Sequence, residues 1–261
     1  MTRFAALFHS EDANPVGPIR SARQSDINLL ANLNRPLMLW SGGNPGVTAE
    51  VKSAEAEGLL IDVSHSVGAA FYFRDNRRAA PHNLYASISD IRANFTPPGA
   101  GGPLPMFTYR KGDEQLPPTA SDSVGLAVDF GSGGVVQFVW DPQAGCWARF
   151  QNGSPFRDAD GRQVCPQNVV VEHIGYGVSE IDARSPKALT VGEGDAWVLT
   201  AGKVVVGHWK RESPKAMPVL TDAAGSVVRL TPGRTWVELP EVGAPVTPVD
   251  PGAAAGMLAS R

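Results

Sequence analysis

The sequence lacks the ligand patterns of metal centres and contains only two cysteines. It has no C-x-x-C pair and no H-E-x-x-H segment, and its five histidines are scattered over 261 residues. Cys146 and Cys165 could form a disulfide in an exported protein or remain two thiols in a reducing compartment. Spacing alone does not choose between these states. The sequence therefore predicts neither a metal nor a cofactor.

Long apolar runs and a strong net charge are also missing. No run approaches the roughly 20 apolar residues that span a bilayer. The residues from Met1 to Phe8 are too few for the apolar core of a signal peptide, and no cleavage site follows them. The formal net charge is only -3, so no overall field draws the chain to nucleic acid. From these residues alone we expect a soluble chain with no nucleic-acid partner.

The common signatures of catalytic and nucleotide-binding loops are absent as well. Ser41 to Gly46 is glycine-rich, but it lacks the lysine of G-x-x-x-x-G-K-[ST] and the spacing of G-x-G-x-x-G. It therefore indicates a tight turn between a strand and a helix. No G-x-S-x-G elbow occurs, and no spacing joins Ser21, Ser41 and His82 into a triad.

The pattern of apolar residues, with 28 glycines and 22 prolines, predicts an α+β protein with many turns. Residues 1–98 predict a mixed α/β domain, which opens with a strand at Thr2 to His9 and ends with a helix at Leu84 to Phe95. Asn83 can cap that helix, and Ser87 offers a later start. Residues 99–121 predict a Pro/Gly-rich linker, and residues 122–240 a smaller all-β domain, barrel- or sandwich-like, with a hairpin tip at Ala201-Gly202. Residues 241–261 predict a disordered tail.

Two basic stretches carry the functional prediction. Arg20 and Arg23 lie just ahead of a predicted helix, and Arg77 precedes His82 and Asn83 ahead of another. Guanidinium groups bind carboxylate or phosphate, and helix amides favour anions. We expect the two stretches to meet in one anion-receptive cleft. The alternative is a set of solvated arginines, a capping Asn83 and a packing His82.

Several blocks of the sequence resemble a known family. In order, they read TRFAALF, GPIRSAR, FRDNRRAAPHNLYAS, FQNGSPFRDADGRQVCPQNVVV, VGEGDAWVLTAGKVVVGHWKRES and LTPGRTWVEL. They are similar to the YerB-like lipoprotein family, whose domain is catalogued as domain of unknown function 3048, over nearly the whole chain up to about Leu239. The residues that match its pattern are Arg20, Ser21, Arg23, Arg77, His82, Asn83 and Tyr85, with Trp209, Lys210 and Trp236 in the second domain.

The resemblance implies an α/β domain followed by a β-rich domain, in a bacterial protein that is extracytoplasmic and membrane-anchored. Family members carry a signal or anchor and a further segment ahead of Thr2. The resemblance thus implies that the first segment of the N-terminal domain is missing here, and that the membrane is reached only through an anchor absent from this sequence. It implies no particular activity. For Trp209 and Trp236 we favour packing over display to a sugar or peptide.

Three functions follow as hypotheses. The first is a cell-envelope protein that binds an anionic envelope ligand or an envelope protein. The binding residues would be the seven of the first domain that match the family pattern, and Arg20, Arg23 and Arg77 among them would hold the anion. The second is a hydrolase or transferase that acts on a cell-wall polymer with His82 as acid or base. The third is a structural accessory protein with no ligand.

Overall fold

The computed structural model describes residues 4–9, 13–183 and 185–261. Within these residues the chain forms helices and several β-sheets, and the α+β class is confirmed.

The first part of the chain is built around a short parallel strand pair and a hairpin. Its elements are α1 (Gln24–Leu30), β1 (Leu37–Met38), α2 (Pro45–Ala56), β2 (Ile61–Asp62), β3 (Tyr72–Arg74), β4 (Leu84–Ala86) and α3 (Ile88–Phe95). β1 and β2 pair in parallel, and β3 and β4 pair as an antiparallel hairpin. α2 buries Val47, Val51 and Ala54, which recur at the spacing of one helix face and pack near Trp40.

Two predictions in this part are wrong in detail. Leu84 to Ala86 form a strand, and the helix begins only at Ile88, where the Ser87 side chain accepts a hydrogen bond from the Asp90 amide at 3.4 Å. The strand forms because β4 is buried and its backbone pairs with β3. Of the predicted first strand, Thr2 and Arg3 lie outside the described residues, and Phe4 to His9 form no strand.

The second part of the chain is almost entirely β-structure. Its elements are β5 (Ser121–Asp122), β6 (Gly125–Asp129), β7 (Val135–Asp141), β8 (Cys146–Gln151), β9 (Ser154–Pro155), β10 (Asn168–Glu172), β11 (Gly175–Val178), β12 (Pro186–Leu189), β13 (Gly192–Thr200), β14 (Lys203–Arg211), β15 (Val219–Asp222), β16 (Thr235–Glu238), β17 (Val246–Pro248) and α4 (Pro251–Ala259).

Two sheets of this part share one buried apolar cluster. One sheet has the order β15-β14-β13-β10-β16, with β5 on β14, and the other has the order β17-β6-β7-β8-β9. Phe138 and Trp147 of the second sheet pack with Val169, Val171 and Leu199 of the first. Strands β11 and β12 form a separate hairpin.

The prediction of a disordered tail over residues 241–261 is wrong. β17 pairs with β6, and α4 begins where the Asp250 carboxylate accepts the Ala253 amide at 3.0 Å. Ala254, Met257 and Leu258 then pack against the buried cluster that contains Phe150. The helix is held because these side chains cover apolar surface that would otherwise face water.

Cys146 and Cys165 form a disulfide, which decides between the two states that the sequence leaves open. The bond ties β8 to the stretch beside it, where the Trp147 amide donates to the Pro166 carbonyl at 2.8 Å.

Removing this disulfide should lower the free energy of unfolding by about 3 kcal/mol, because the bond restricts the unfolded chain. The variant is Cys146→Ala with Cys165→Ala, and the measurement is urea unfolding followed by tryptophan fluorescence. A reductant should destabilise the unsubstituted protein and leave the double variant unchanged. Equal unfolding midpoints for the oxidised protein and the double variant would contradict this expectation.

Candidate functional site

The two basic stretches meet. The stretch from Gly17 to Arg23 lies beside β4, where the Ile19 amide donates to the Leu84 carbonyl at 2.7 Å. On its other side, the Arg20 carbonyl accepts the Ser41 amide at 3.0 Å. The backbone of Arg20 is therefore held between β4 and the glycine-rich turn after β1.

Glycine at position 17 makes this approach possible. A Cβ atom at Gly17 would lie 2.5 Å from Cδ1 of Tyr85 and 2.8 Å from the Leu84 carbonyl oxygen. Both distances are shorter than non-bonded carbon contacts allow. Any larger residue would push the stretch away from β4.

Arg20 and His82 form the polar centre of this surface. Nη1 of Arg20 lies 2.9 Å from Nδ1 of His82, at the exposed surface. A guanidinium only donates, so this nitrogen of the imidazole ring is the acceptor. Among the described residues, no carboxylate lies within ion-pair distance of Arg20. The side chain of Arg20 therefore contacts an imidazole, and no acid within these residues balances its positive charge.

Arg77 lies on the same loop as His82 but is engaged elsewhere. Its Nε and Nη2 donate to the two carboxylate oxygens of Asp75 at 2.9 and 3.0 Å, and its side chain is 89% exposed. These hydrogen bonds from Arg77 hold the pKa of Asp75 below its usual value. The structure thus pairs Arg77 with an acid on its own loop, and the idea that it binds the same ligand as Arg20 stays a prediction.

Arg23 turns toward the β-rich part of the chain. Its amide donates to the Asp26 carboxylate at 2.8 Å at the start of α1, so an acid already occupies this helix start. Its buried Nε has no hydrogen-bond partner among the described residues. Burial raises the pKa of Tyr176 in β11, Glu241 adds to the rise, and the charge of Arg23 opposes it. Ser21 is half-buried between the two arginines.

Asn83 and Tyr85 stabilise the hairpin. Asn83 is buried, caps no helix, and accepts a hydrogen bond from Arg74 at 2.8 Å. Tyr85 is 7% exposed, and its ring stacks on Phe73 with 5.9 Å between centroids. Of the seven predicted residues, the structure therefore brings the side chains of Arg20 and His82 together at the surface, and it gives Arg23, Arg77, Asn83 and Tyr85 other contacts.

The glycine-rich turn after β1 is a tight turn, as its spacing predicts. The Asn44 side chain accepts the Val47 amide at 2.9 Å and donates to the Ile181 carbonyl at 3.1 Å. A Cβ atom at Gly46 would lie 2.9 Å from Cβ of Ile181. The start of α2 is thus capped and covered by protein.

A buried acid in this part of the chain was not predicted. Asp62 is 2% exposed, accepts a hydrogen bond from Nε1 of Trp40 at 2.7 Å, and pairs with Lys52 at 2.8 Å. Burial alone would raise the pKa of Asp62, but hydrogen bonds from Lys52, Trp40 and Ser64 hold it below its usual value. The carboxylate therefore links β2 to Trp40, which follows β1, and to Lys52 of α2.

A second contact missed from the sequence joins the two parts of the chain. Arg211, at the end of β14, is 4% exposed. Its Nη2 lies 2.8 Å from the Asn28 carbonyl and 3.2 Å from Oδ1 of Asn32, beside α1. Burial raises the pKa of nearby Glu172 to about 7, and the charge of Arg211 opposes that rise. In the sequence, Arg211 is one of several charged residues in the run HWKRE, and nothing there indicates that Arg211 is buried and Lys210 is not.

Of the tryptophans that match the family pattern, Trp209 is buried and Trp236 is half-buried, and both pack against other residues. Nε1 of Trp209 donates to the His173 carbonyl at 2.9 Å in a buried position. The ring of Trp236 lies beside the buried guanidinium of Arg149, with 4.9 Å between Cζ and the ring centroid. The Phe156 ring lies on the same guanidinium, with its centroid 4.0 Å from Cζ of Arg149. Neither tryptophan presents a free face to a sugar.

Two absences bear on the class of site. Among residues 4–9, 13–183 and 185–261, no group of three or more histidine, cysteine or acidic side chains could hold a metal ion. In the same residues, no helix combines the length and the apolarity needed to cross a membrane.

Family models match both parts of the chain. The N-terminal domain of "Protein of unknown function (DUF3048)" matches residues 1–100, and the C-terminal domain of the same family matches residues 126–237. The chain belongs to the DUF3048 family. A relative in Bacillus subtilis (strain 168), named "Putative lipoprotein YerB", is 27% identical in an alignment of 251 residues that covers 92% of this chain and 71% of the relative.

The fold of this DUF3048 protein is also similar to a solved structure. The crystal structure of YerB protein from Bacillus subtilis superposes with a TM-score of 0.72 at 22% identity, over 91% of this chain and 79% of that one. At this identity the likeness concerns the fold alone. The family resemblance drawn from the sequence blocks is confirmed.

Replacing Gly17 by alanine should destabilise the protein by roughly 1–3 kcal/mol, because the new methyl group would overlap Tyr85 and the β4 backbone. Gly102→Ala is the matched control, since a Cβ atom there meets nothing within 4 Å. The measurement is the free energy of unfolding in urea. Equal stability of the two variants would show that the stretch can move away from β4 at no cost.

Glu172 should make the stability of the protein depend on pH. A glutamate carboxyl ordinarily has a pKa of 4.5, and burial raises the pKa of Glu172 to about 7, so the folded state holds the proton more tightly than the unfolded chain. The stabilisation that Glu172 adds to the free energy of unfolding is therefore fully present below pH 4.5. It is lost as the pH rises through 7, by at most about 3 kcal/mol.

The variant Glu172→Gln should match the unsubstituted protein near pH 4.5 and exceed its unfolding free energy near pH 8. The measurement is the difference in unfolding free energy between the two proteins across this range. Glu212→Gln is the control, because Glu212 is 78% exposed. A difference that stays constant with pH would show that Glu172 does not titrate in this way.

Proposed function

We propose that this protein is an extracytoplasmic, membrane-anchored binding protein of the cell envelope, and that it takes a phosphate- or carboxylate-bearing ligand at Arg20 and His82. The observation that carries the proposal is the contact of Arg20 with an imidazole at the surface, with no acid among the described residues to balance the charge of Arg20. The ligand would come from a cell-wall component or from an acidic segment of an envelope protein.

The chemistry of Arg20 suits an anion. One guanidinium nitrogen is used on His82, and the remaining donors on the fork suit the two oxygens of a carboxylate or phosphate. The Arg20 backbone is fixed on both sides by hydrogen bonds, to the Ser41 amide directly and to Leu84 through Ile19. A guanidinium on a fixed backbone loses less freedom on binding than one on a mobile loop.

Two observations support the proposed compartment. A relative bears the name lipoprotein, and lipoproteins are attached to a membrane from the outside of the cytoplasm. The Cys146–Cys165 disulfide fits an oxidising environment.

The proposal keeps two domains, an α/β domain at residues 1–98 and, after the predicted linker at 99–121, a β-domain from residue 122. The β-domain extends past the predicted end at 240, because it includes β17 and α4. Phe107 of the predicted linker is also buried in its core, with Val170 and Leu230. The gap between the two family models, from residue 100 to residue 126, supports this division. The apolar cluster shared by two sheets supports a sandwich-like second domain.

The other two hypotheses gain less support. A catalytic His82 needs a group that orients its ring as a base, and its partner here is the cation Arg20. The structural hypothesis explains Arg23, Asn83 and Tyr85, whose contacts lie within the protein, but gives no role to the exposed Arg20–His82 pair.

Arg20→Gln should weaken binding of a phosphate or carboxylate polymer by at least about tenfold, while leaving the melting temperature unchanged. Suitable probes are inorganic polyphosphate and polyglutamate, titrated at low salt by calorimetry. Added salt should weaken both interactions, because the ligand contacts are exposed.

Arg77→Gln is the matched control, because the charge of Arg77 is already balanced by Asp75. This variant should bind as the unsubstituted protein does. If both variants lose affinity equally, binding is non-specific, and if neither polymer binds at all, the proposal is wrong.

A further inference from the structure

A second cationic site lies in the β-rich part of the chain, apart from Arg20. A surface pocket of about 230 Å³ opens between the segment 110–120 and the tight turn that joins β13 to β14. Arg110, Gln115 and Lys203 supply its polar groups, and Leu116, Pro117 and Ala201 contribute apolar walls. Its volume is slightly below the ~300–1,000 Å³ of pockets for drug-sized ligands, so it suits a small molecule or a single side chain.

One of the two cations of the pocket, Arg110, has no acid partner within the described residues. The residues that line it include two cations and no aspartate or glutamate. Arg110 donates to neutral acceptors, the Glu114 carbonyl at 3.1 Å and the Thr231 hydroxyl at 2.6 Å. The Glu114 carboxylate pairs instead with Arg229 at 2.7 Å. Within the described residues, the charge of Arg110 is therefore not balanced by an acid.

The donors of Arg110 are not all used. Its Nε is buried and has no hydrogen-bond partner among the described residues. A buried donor without a partner is costly, so Arg110 has hydrogen-bonding capacity that the described residues do not satisfy.

A buried polar network holds Arg110 in position. The Thr231 hydroxyl that accepts from Arg110 lies 2.7 Å from the Thr200 hydroxyl, and that hydroxyl donates to Oδ1 of Asn168 at 2.7 Å. Thr200 and Asn168 are both fully buried. The guanidinium thus rests on a fixed base, which lowers the entropy lost on binding.

Lys203 forms the other side of the pocket. Its ammonium pairs with Asp122 at 2.6 Å, but that carboxylate is 93% exposed and lies outside the pocket lining. Such an exposed pair is worth little, so the lysine can turn toward an anion at low cost.

From these features we propose that the pocket binds a small carboxylate that carries a short apolar group. The carboxylate would lie between Arg110 and Lys203, and the apolar group against Leu116 and Pro117. A free organic acid and the C-terminal residue of a peptide share this chemistry. The site is independent of the one proposed at Arg20.

The test is a titration of the whole protein with N-acetylalanine and with N-acetylalaninamide, followed by NMR of the backbone amides. The acid should bind saturably, with shifts at the pocket, and the uncharged amide should bind at least about tenfold more weakly. Arg110→Gln should weaken acid binding by at least about tenfold and Lys203→Gln by about threefold.

Arg229→Gln is the matched control, since Arg229 pairs with Glu114 and does not line the pocket. Because Arg110 also supports the Thr231 contact, Arg110→Lys is measured too; it keeps the charge and should retain part of the affinity. Lys203 is 40% exposed, so its variant tests the proposal without risk to the fold.

The peptide Ala-Ala-Ala with a free C-terminus separates the two sources: tighter binding than N-acetylalanine indicates a peptide end, and weaker binding a free acid. Equal binding of acid and amide, unchanged affinity in both pocket variants, or no saturable binding would overturn the proposal. Arg20→Gln should leave this titration unchanged. A failure of the pocket proposal can therefore be distinguished from a failure of the proposal at Arg20.

Discussion

The buried guanidinium of Arg211 is the contact that fixes the end of β14 against α1. A cation out of water is costly unless its donors are satisfied, and Arg211 satisfies them with the Asn28 carbonyl, Oδ1 of Asn32 and the carbonyls of Pro214 and Ala216. Two of these acceptors belong to α1 or follow it directly. The end of β14 therefore fixes α1 against the sheet, and α1 fixes the stretch ahead of it that contains Arg20 and Arg23.

The two arginines of the GPIRSAR block separate because of backbone geometry. Arg23 has φ -127° and ψ 159°, an extended conformation, and the stretch before it lies along β4. In an extended chain, residues three apart point to opposite sides, whereas in a helix they share a face. Arg20 consequently meets His82 on one side, and Arg23 meets the β11 region on the other. The expectation of one joint anion site requires both side chains to lie on the same face, which an extended backbone does not give to residues three apart.

The sequence predicted elements well where local pattern and tertiary packing agree. Strand β14 alternates in burial, as does β7 over its first four residues. The Ala201-Gly202 tip between β13 and β14 has the positive φ angles, 50° and 74°, of a tight hairpin turn. The pattern failed where packing decides. Leu84 to Ala86 fit either a helix or a strand until β3 is present to pair with them. The hairpin β11–β12 is rich in glycine and gave no signal; it forms against α1, where the Ala188 amide donates to the Ser25 hydroxyl at 2.8 Å.

The functional interpretation of a basic stretch depends on which charges are left unbalanced, and a count of arginines does not show this. The run FRDNRR contains three arginines, but its own Asp75 lies within 4 Å of both Arg77 and Arg78 and cancels much of their field. Arg20 and Arg110 stand outside such runs, and within the described part of the chain neither lies at ion-pair distance from an acid. In a chain of net charge -3, an anion is attracted where a cation lacks an acid nearby. Whether a cation has an acid nearby depends on which residues the fold places around it. The structure shows this, and the composition of the sequence does not.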